Sequence, residues 1–231
     1  MDYWYNEVMN NPTYKKVVRK LTADFYRLTD AFKYLQAIKL FEKEIVENPE
    51  LKNNEDILCR LGMLYDHAAL QNKKIKRTYE NTALSLYKKA LKINPASFKA
   101  TWGIGRVYWH NTNPKAVRYA KKAYDIARRK EKKLGIYIQN VGLVYESLGK
   151  FKESEKWLEK GAAAEPKSWA VYLNLVVFYR LTKQFKKSKK YALKLNKLFD
   201  KEPASFKKTP WGKRVVEVIK NSEKELKKIK K

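Results

Sequence analysis

Gly135–Ser168 reads GIYIQNVGLVYESLGKFKESEKWLEKGAAAEPKS, two helical patterns joined at Leu148-Gly149-Lys150. In the first, Ile138, Val141, Gly142 and Tyr145 fall at the i, i+3, i+4, i+7 spacing of one helix face. Phe151, Ser154, Leu158 and Gly161 line one side of the second, and Pro166 closes it because proline cannot continue a helix. Small residues stand where the two helices must cross closely, with large apolar ones beside them. Such a hairpin is apolar on both sides and needs a stacked neighbour to bury its surface.

The following stretch supplies that neighbour. Ile138, Asn140, Val141, Tyr145, Phe151 and Ser154 recur 34 residues on as Tyr172, Asn174, Leu175, Tyr179, Phe185 and Ser188. Upstream the same phase appears in Leu58, Leu61, Gly62 and Tyr65, then in Ile104, Gly105 and Tyr108. Five hairpins result, at about 13–49, 55–95, 98–132, 135–168 and 169–202. Gly62 to Gly105 is 43 residues, so nine extra lie in the segment His67–Arg77. Gly105 to Gly142 is 37, and the three extra are assigned to Trp109–Pro114. Residues 1–12, with Tyr3, Trp4 and Tyr5, read as a lead-in that covers one end of the stack. After Pro203, Thr209-Pro210-Trp211 reads as an N-cap with proline at the first helical position. The helix behind it sets Val215, Val218 or Ile219, Leu226 and Ile229 against lysines, so 204–231 is expected to be a capping helix with a basic tail.

The 34-residue period and these positions resemble the tetratricopeptide repeat (TPR) over residues 13–200. The resemblance implies an all-α, right-handed superhelical solenoid of antiparallel helix hairpins, with the first helix of each repeat lining a concave groove that binds a peptide or helix of another protein. Groove positions carried over from the pattern are Asp56, Cys59, Met63 and Asp66 in the second repeat, and Lys99, Trp102, Arg106 and Trp109 in the third. The fourth offers Ile136, Gln139, Leu143 and Glu146, and the fifth Ala170, Leu173, Val177 and Arg180. Tryptophan and arginine are the residues most enriched at binding hot spots. The expected ligand site is therefore Lys99, Trp102, Arg106, Trp109, Gln139, Leu143, Leu173, Val177 and Arg180, and an acidic-aromatic or acidic-aliphatic ligand is favoured. The carboxylate clamp of some family members finds only Asn140 in place. Asn140 and Asn174 read instead as structural residues that satisfy backbone or neighbouring-helix polar groups.

Composition agrees with helices and adds a second function class. A hydrophobic fraction of 44% permits a folded core, and eight Gly with seven Pro leave little for turn-rich β structure. The net charge is +28, from 52 Lys+Arg against 24 Asp+Glu. Either a polyanion is bound, or the excess is compositional, Lys, Asn, Ile, Tyr and Phe all having A/T-rich codons. Candidate polyanion contacts are Lys74, Lys76, Arg77, Arg128, Arg129, Lys186, Lys187, Lys189 and Lys190. The alternative function is thus a nucleic-acid-associated adaptor using its lysine-rich surface.

Catalysis finds few reagents. One cysteine, Cys59, and two histidines, His67 and His110, make up the nucleophile and metal-ligand supply. Cys59 and His67 are eight residues apart on one helix, about 12 Å by helical rise, beyond hydrogen-bond reach. No phosphate-cradling glycine motif occurs, so no cofactor is expected. Glu153, Glu155 and Glu159 read as a charged face pairing with Lys152, Lys156 and Lys160. The first twelve residues lack the basic and apolar regions of a leader, and no run approaches the roughly 20 apolar residues of a membrane span. A soluble cytoplasmic scaffold, not an enzyme, is the expectation.

Overall fold

The computed structural model describes residues 11–129 and 134–229, the side chains of 223 and 225–229 excepted. The lead-in aromatics Tyr3, Trp4 and Tyr5, residues 130–133 with Lys130, Lys132 and Lys133, and the side chains of Leu226 and Ile229 lie outside the described residues. Within them the secondary structure is helical: α1 Pro12–Asp30, α2 Tyr34–Glu47, a 3-10 turn Pro49–Asn53, α3 Glu55–Gln71, α4 Lys76–Ile93, α5 Phe98–His110, α6 Lys115–Arg128, α7 Gly135–Ser147, α8 Phe151–Ala164, α9 Trp169–Leu181, α10 Phe185–Phe199, α11 Ala204–Lys207 and α12 Pro210–Ile229. They form two compact units, residues 1–107 and 108–231.

Four hairpin turns use one device. The residue at positive φ is Phe32 (55°), Thr112 (51°), Gly149 (72°) or Lys183 (58°). Each turn closes with an amide bonded five residues back: Lys33 N to Leu28 O, Asn113 N to Tyr108 O, Lys150 N to Tyr145 O, and Gln184 N to Tyr179 O. This is the left-handed C-terminal motif that reverses a helix while satisfying its last carbonyls. Glycine, the residue that adopts it without a Cβ penalty, is present only at position 149 of the four.

In the first unit, Leu21, Phe25 and Leu28 of α1 pack with Ala37 and Phe41 of α2, Leu51, and Ile57, Leu61 and Leu64 of α3. Asn54 caps α3 by accepting from Ile57 N (3.0 Å), and it donates to the Tyr14 hydroxyl (2.7 Å). Tyr87 of α4 is wedged between two glycines. A Cβ on Gly62 would stand 2.9 Å from its ring, and one on Gly103 2.3 Å. That close approach requires glycine at 62 and at 103, two residues before the repeat-phase Gly105.

Eight of the nine extra residues of the second repeat are helix. Against α7, α8 and their three-residue turn, α3 is longer by four residues, α4 by four, and the turn by one. The expected insertion at His67–Arg77 is instead one more helical turn on each member of the pair. The added turn supports itself, with Ala68 and Ala69 buried. In the third repeat only one extra residue falls in the turn 111–114, and two lie in the interval 129–134, which is longer than its counterpart 165–168. Assigning all three to Trp109–Pro114 is corrected accordingly.

In the second unit, Leu158, Tyr172, Leu175, Phe178, Leu195 and Phe199 form a core with Val215 and Ile219 of α12. Thr209 caps α12, its hydroxyl accepting from Gly212 N at 3.1 Å. The capping helix buries the face expected of it as far as the described side chains reach. Tyr179 donates to Glu155 (3.0 Å) and Glu159 (2.7 Å), and Lys187 pairs with Glu155 at 2.7 Å. These carboxylates tie α8 to α9 and α10, where the sequence suggested pairs along α8 alone.

Candidate functional site

A pocket of about 280 Å³ opens in the first unit, lined by Phe25, Tyr26, Asp56, Cys59, Arg60, Met63, Tyr87, Phe98, Lys99, Trp102, Gly103 and Arg106. Its walls come from α1, α3, α4 and α5, so it exists only once the hairpins are stacked. Aromatic rings and Met63 supply most of the wall. Asp56 accepts from Lys99 Nζ (2.5 Å) and from Arg60 Nε (2.7 Å). The Arg60 guanidinium also lies over the rings of Phe25 (4.9 Å) and Tyr26 (5.2 Å). Burial pulls the Asp56 carboxyl upward, but the bonds from Lys99 and Arg60 outweigh it and hold it below the usual carboxylate range. Two cations thus share one anion here.

Lys99, Trp102 and Arg106, taken from the sequence as ligand residues, do face this pocket, but Arg106 is committed internally. Its Nε donates to Asp66 at 2.6 Å, with side-chain exposures of 14% and 0%. Its Nη1 stands 3.3 Å from His67 Nε2, and the His67 ring stacks on Tyr34 (5.0 Å, 9°). Burial disfavours the Arg106 charge, yet Tyr87 and Asp66 more than compensate and keep it firmly protonated. It is a strut between α3 and α5 first and a pocket wall second.

The second-unit positions separate into two kinds. Gln139 is fully buried. Its Nε2 donates to Leu158 O (2.9 Å) and Val171 O (2.8 Å), and its Oε1 accepts from Asn174 (3.0 Å). Gln139 is therefore a bolt joining α7, α8 and α9, which corrects its assignment to an open groove. Asn174 thus satisfies a polar group of the neighbouring helix, the structural role expected of it. Leu143 and Leu173 are half-buried against the core, and Val177 is exposed. Arg180 sits half-buried in the last turn of α9. Trp109 lies in the last turn of α5 with its ring stacked on His110 at 5.5 Å and does not line the first-unit pocket. Glu146 carries a buried oxygen, Oε2, with no hydrogen-bond partner, and burial pushes its carboxyl up.

The basic candidates do not share one setting. Lys74 lies in the α3–α4 turn, where its amide bonds Asn72 Oδ1 at 3.0 Å. Lys76 and Arg77 open α4, and Lys76 reaches Glu80 at 3.5 Å. Arg128 closes α6 beside Asp125 (3.9 Å), with Arg129 as its C-cap. Lys186, Lys187, Lys189 and Lys190 belong to α10.

Chemistry at Cys59 is disfavoured by its surroundings. The thiol is buried, donates to Glu55 (3.3 Å) and is pushed up by burial, so it stays protonated. Among the described residues, no cluster of three or more His, Cys, Asp or Glu could hold a metal ion. Nor is any helix there long and apolar enough to cross a membrane.

No family model matches the chain, and no curated protein matches it. Solved structures do. PilW, described as a widely conserved type IV pilus biogenesis factor, is 19% identical with a TM-score of 0.61, the match covering 91% of this chain and 92% of that one. TTC0263, a thermophilic TPR protein of Thermus thermophilus, is 19% identical with a TM-score of 0.60, covering 80% and 92%. A putative kinesin light chain of Podosopora anserina with nearly identical TPR-like repeats is 14% identical with a TM-score of 0.56, covering 78% and 93%. At these identities the likeness establishes the fold.

Proposed function

We propose that this tetratricopeptide-repeat fold serves as a non-catalytic scaffold whose first unit seats one bulky apolar side chain of a partner peptide. The observation that carries the reading is the pocket between α1, α3, α4 and α5. At about 280 Å³ it falls just below the range of sites that enclose a whole small molecule or cofactor. One aromatic or branched side chain suits it better. Trp102, half-buried in its wall, has the area and rigidity of a hot-spot residue. Lys99 and Arg60, sharing Asp56, leave a local excess of one positive charge, which favours an acidic residue next to the anchor.

Selection of displayed random peptides against the immobilised full chain tests this. The expected winners share an aromatic or aliphatic anchor followed by Asp or Glu, and Trp102→Ala weakens them at least tenfold. Winners without an anchor, or affinity unchanged by Trp102→Ala, would defeat the proposal.

A further inference from the structure

The excess charge is unevenly placed. Residues 1–107 hold 19 Lys+Arg against 12 Asp+Glu, net +7, whereas residues 108–231 hold 33 against 12, net +21. Within the second unit, α10 is the most one-sided element. FKKSKKYALKLNKLF has six lysines and no acidic residue. Ser188, Ala192, Leu195 and Phe199 are buried. The opposite face carries Lys186, Lys190, Lys194 and Lys197, all exposed, along about 16 Å by helical rise. Lys187 is drawn off to Glu155. Lys190 and Lys194 rest over the rings of Tyr191 (5.8 Å) and Tyr172 (4.7 Å). These contacts fix their stems and leave their charge intact.

We infer that this stripe on α10 binds the phosphodiester backbone of a nucleic acid, without regard to base sequence. A line of like charges spaced about one helical turn apart complements a linear polyanion. A lipid surface is the poorer fit, because a helix that docks on a bilayer inserts its apolar face, and here that face is spent on the unit's core, Leu193 being the one large apolar side chain of α10 left exposed. The four exposed ends are lysines, which act as point charges on phosphate and carry no base code.

The test is fluorescence anisotropy of the full chain with a labelled 20-residue random-sequence duplex and the matching single strand, from 50 to 200 mM salt. Four neutralised phosphates give a slope of about −3.6 in log K against log salt for duplex, a loss of roughly a hundredfold over that range. Lys186→Gln/Lys190→Gln/Lys197→Gln should flatten the slope by about 2.7 with the helical melt unchanged. The charge-matched control is Lys88→Gln/Lys89→Gln/Lys92→Gln on α4, which should leave binding as it was. Equal losses in both variants would show only diffuse charge and overturn the inference. So would no binding at 150 mM salt, or binding to anionic vesicles or polyglutamate as tight as to nucleic acid. Peptide selection on the first-unit pocket is independent of every one of these outcomes.

Discussion

Asp66 and Glu146 occupy the same place in their repeats, four residues beyond Gly62 and Gly142, yet only one of them is answered. Arg106, one residue past Gly105 in the next hairpin, meets Asp66 at 2.6 Å. The corresponding residue after Val176 is Val177, and Glu146 keeps a buried oxygen without a partner. At the buried centre of the joint, the first unit links successive hairpins with an ion pair and the second with neutral amides, Gln139 and Asn174, the Glu155 and Glu159 contacts lying nearer the surface. A repeat array therefore keeps the place of a polar side chain without keeping what it meets. Each interface must be satisfied separately.

The largest effect should come from cutting the ion pair. Asp66→Ala strands the Arg106 guanidinium in a nearly dry site, at a cost of about 3 kcal/mol or more in urea denaturation. A loss under 1 kcal/mol would mean that the pair is no strut. Next comes the amide bolt. Gln139→Leu leaves Leu158 O, Val171 O and Asn174 without it, and about 2 kcal/mol should be lost. The comparison is sharpened by building the missing partner. Val177→Arg should stabilise the chain by about 1 kcal/mol, and the gain should vanish when Glu146→Gln is combined with it in a double-mutant cycle. Equal gains with and without Glu146 would refute the register argument.

The smallest effect is a pH signature with opposite signs in the two units. Glu146 has a folded-state pKa above its unfolded value, so its charge opposes folding at neutral pH and the penalty lifts as pH falls through the folded value. Glu146→Gln should raise the melting temperature slightly at pH 7 and not at pH 3.5. Asp56 is depressed, so its contribution is complete above the ordinary carboxylate range near pH 4 and is lost as pH drops through the folded value. Asp56→Asn should then cost stability at pH 7 and little under strong acid.

The helix pairs are legible because their apolar period is local, and because a packed Tyr three residues after a small one leaves a pattern within eight residues. The added turn in α3 and α4 was not read as helix, although Ala68, Ala69 and Leu70 are strong helix formers and no Gly or Pro interrupts 67–77. The turns hid as well, since Phe32, Thr112 and Lys183 hold a conformation that their residue types do not advertise. Thr112→Gly should relieve such strain by about 1 kcal/mol in a melt. The inward bonds of Gln139 and Arg106 escape the sequence for another reason. Their partners lie 19 to 40 residues away, and helical periodicity cannot tell an outward side chain from one clamped by a neighbouring helix.

The lengthened second hairpin implies that growth of the helices themselves comes in matched steps. Four residues return a helix close to its starting angle, so growth by one turn on both strands of the pair keeps every downstream contact in phase. Growth on one strand alone would swing its inward side chains out of line. Within the helices the increment taken up here is four residues in α3 together with four in α4, while single residues are taken up in the turns.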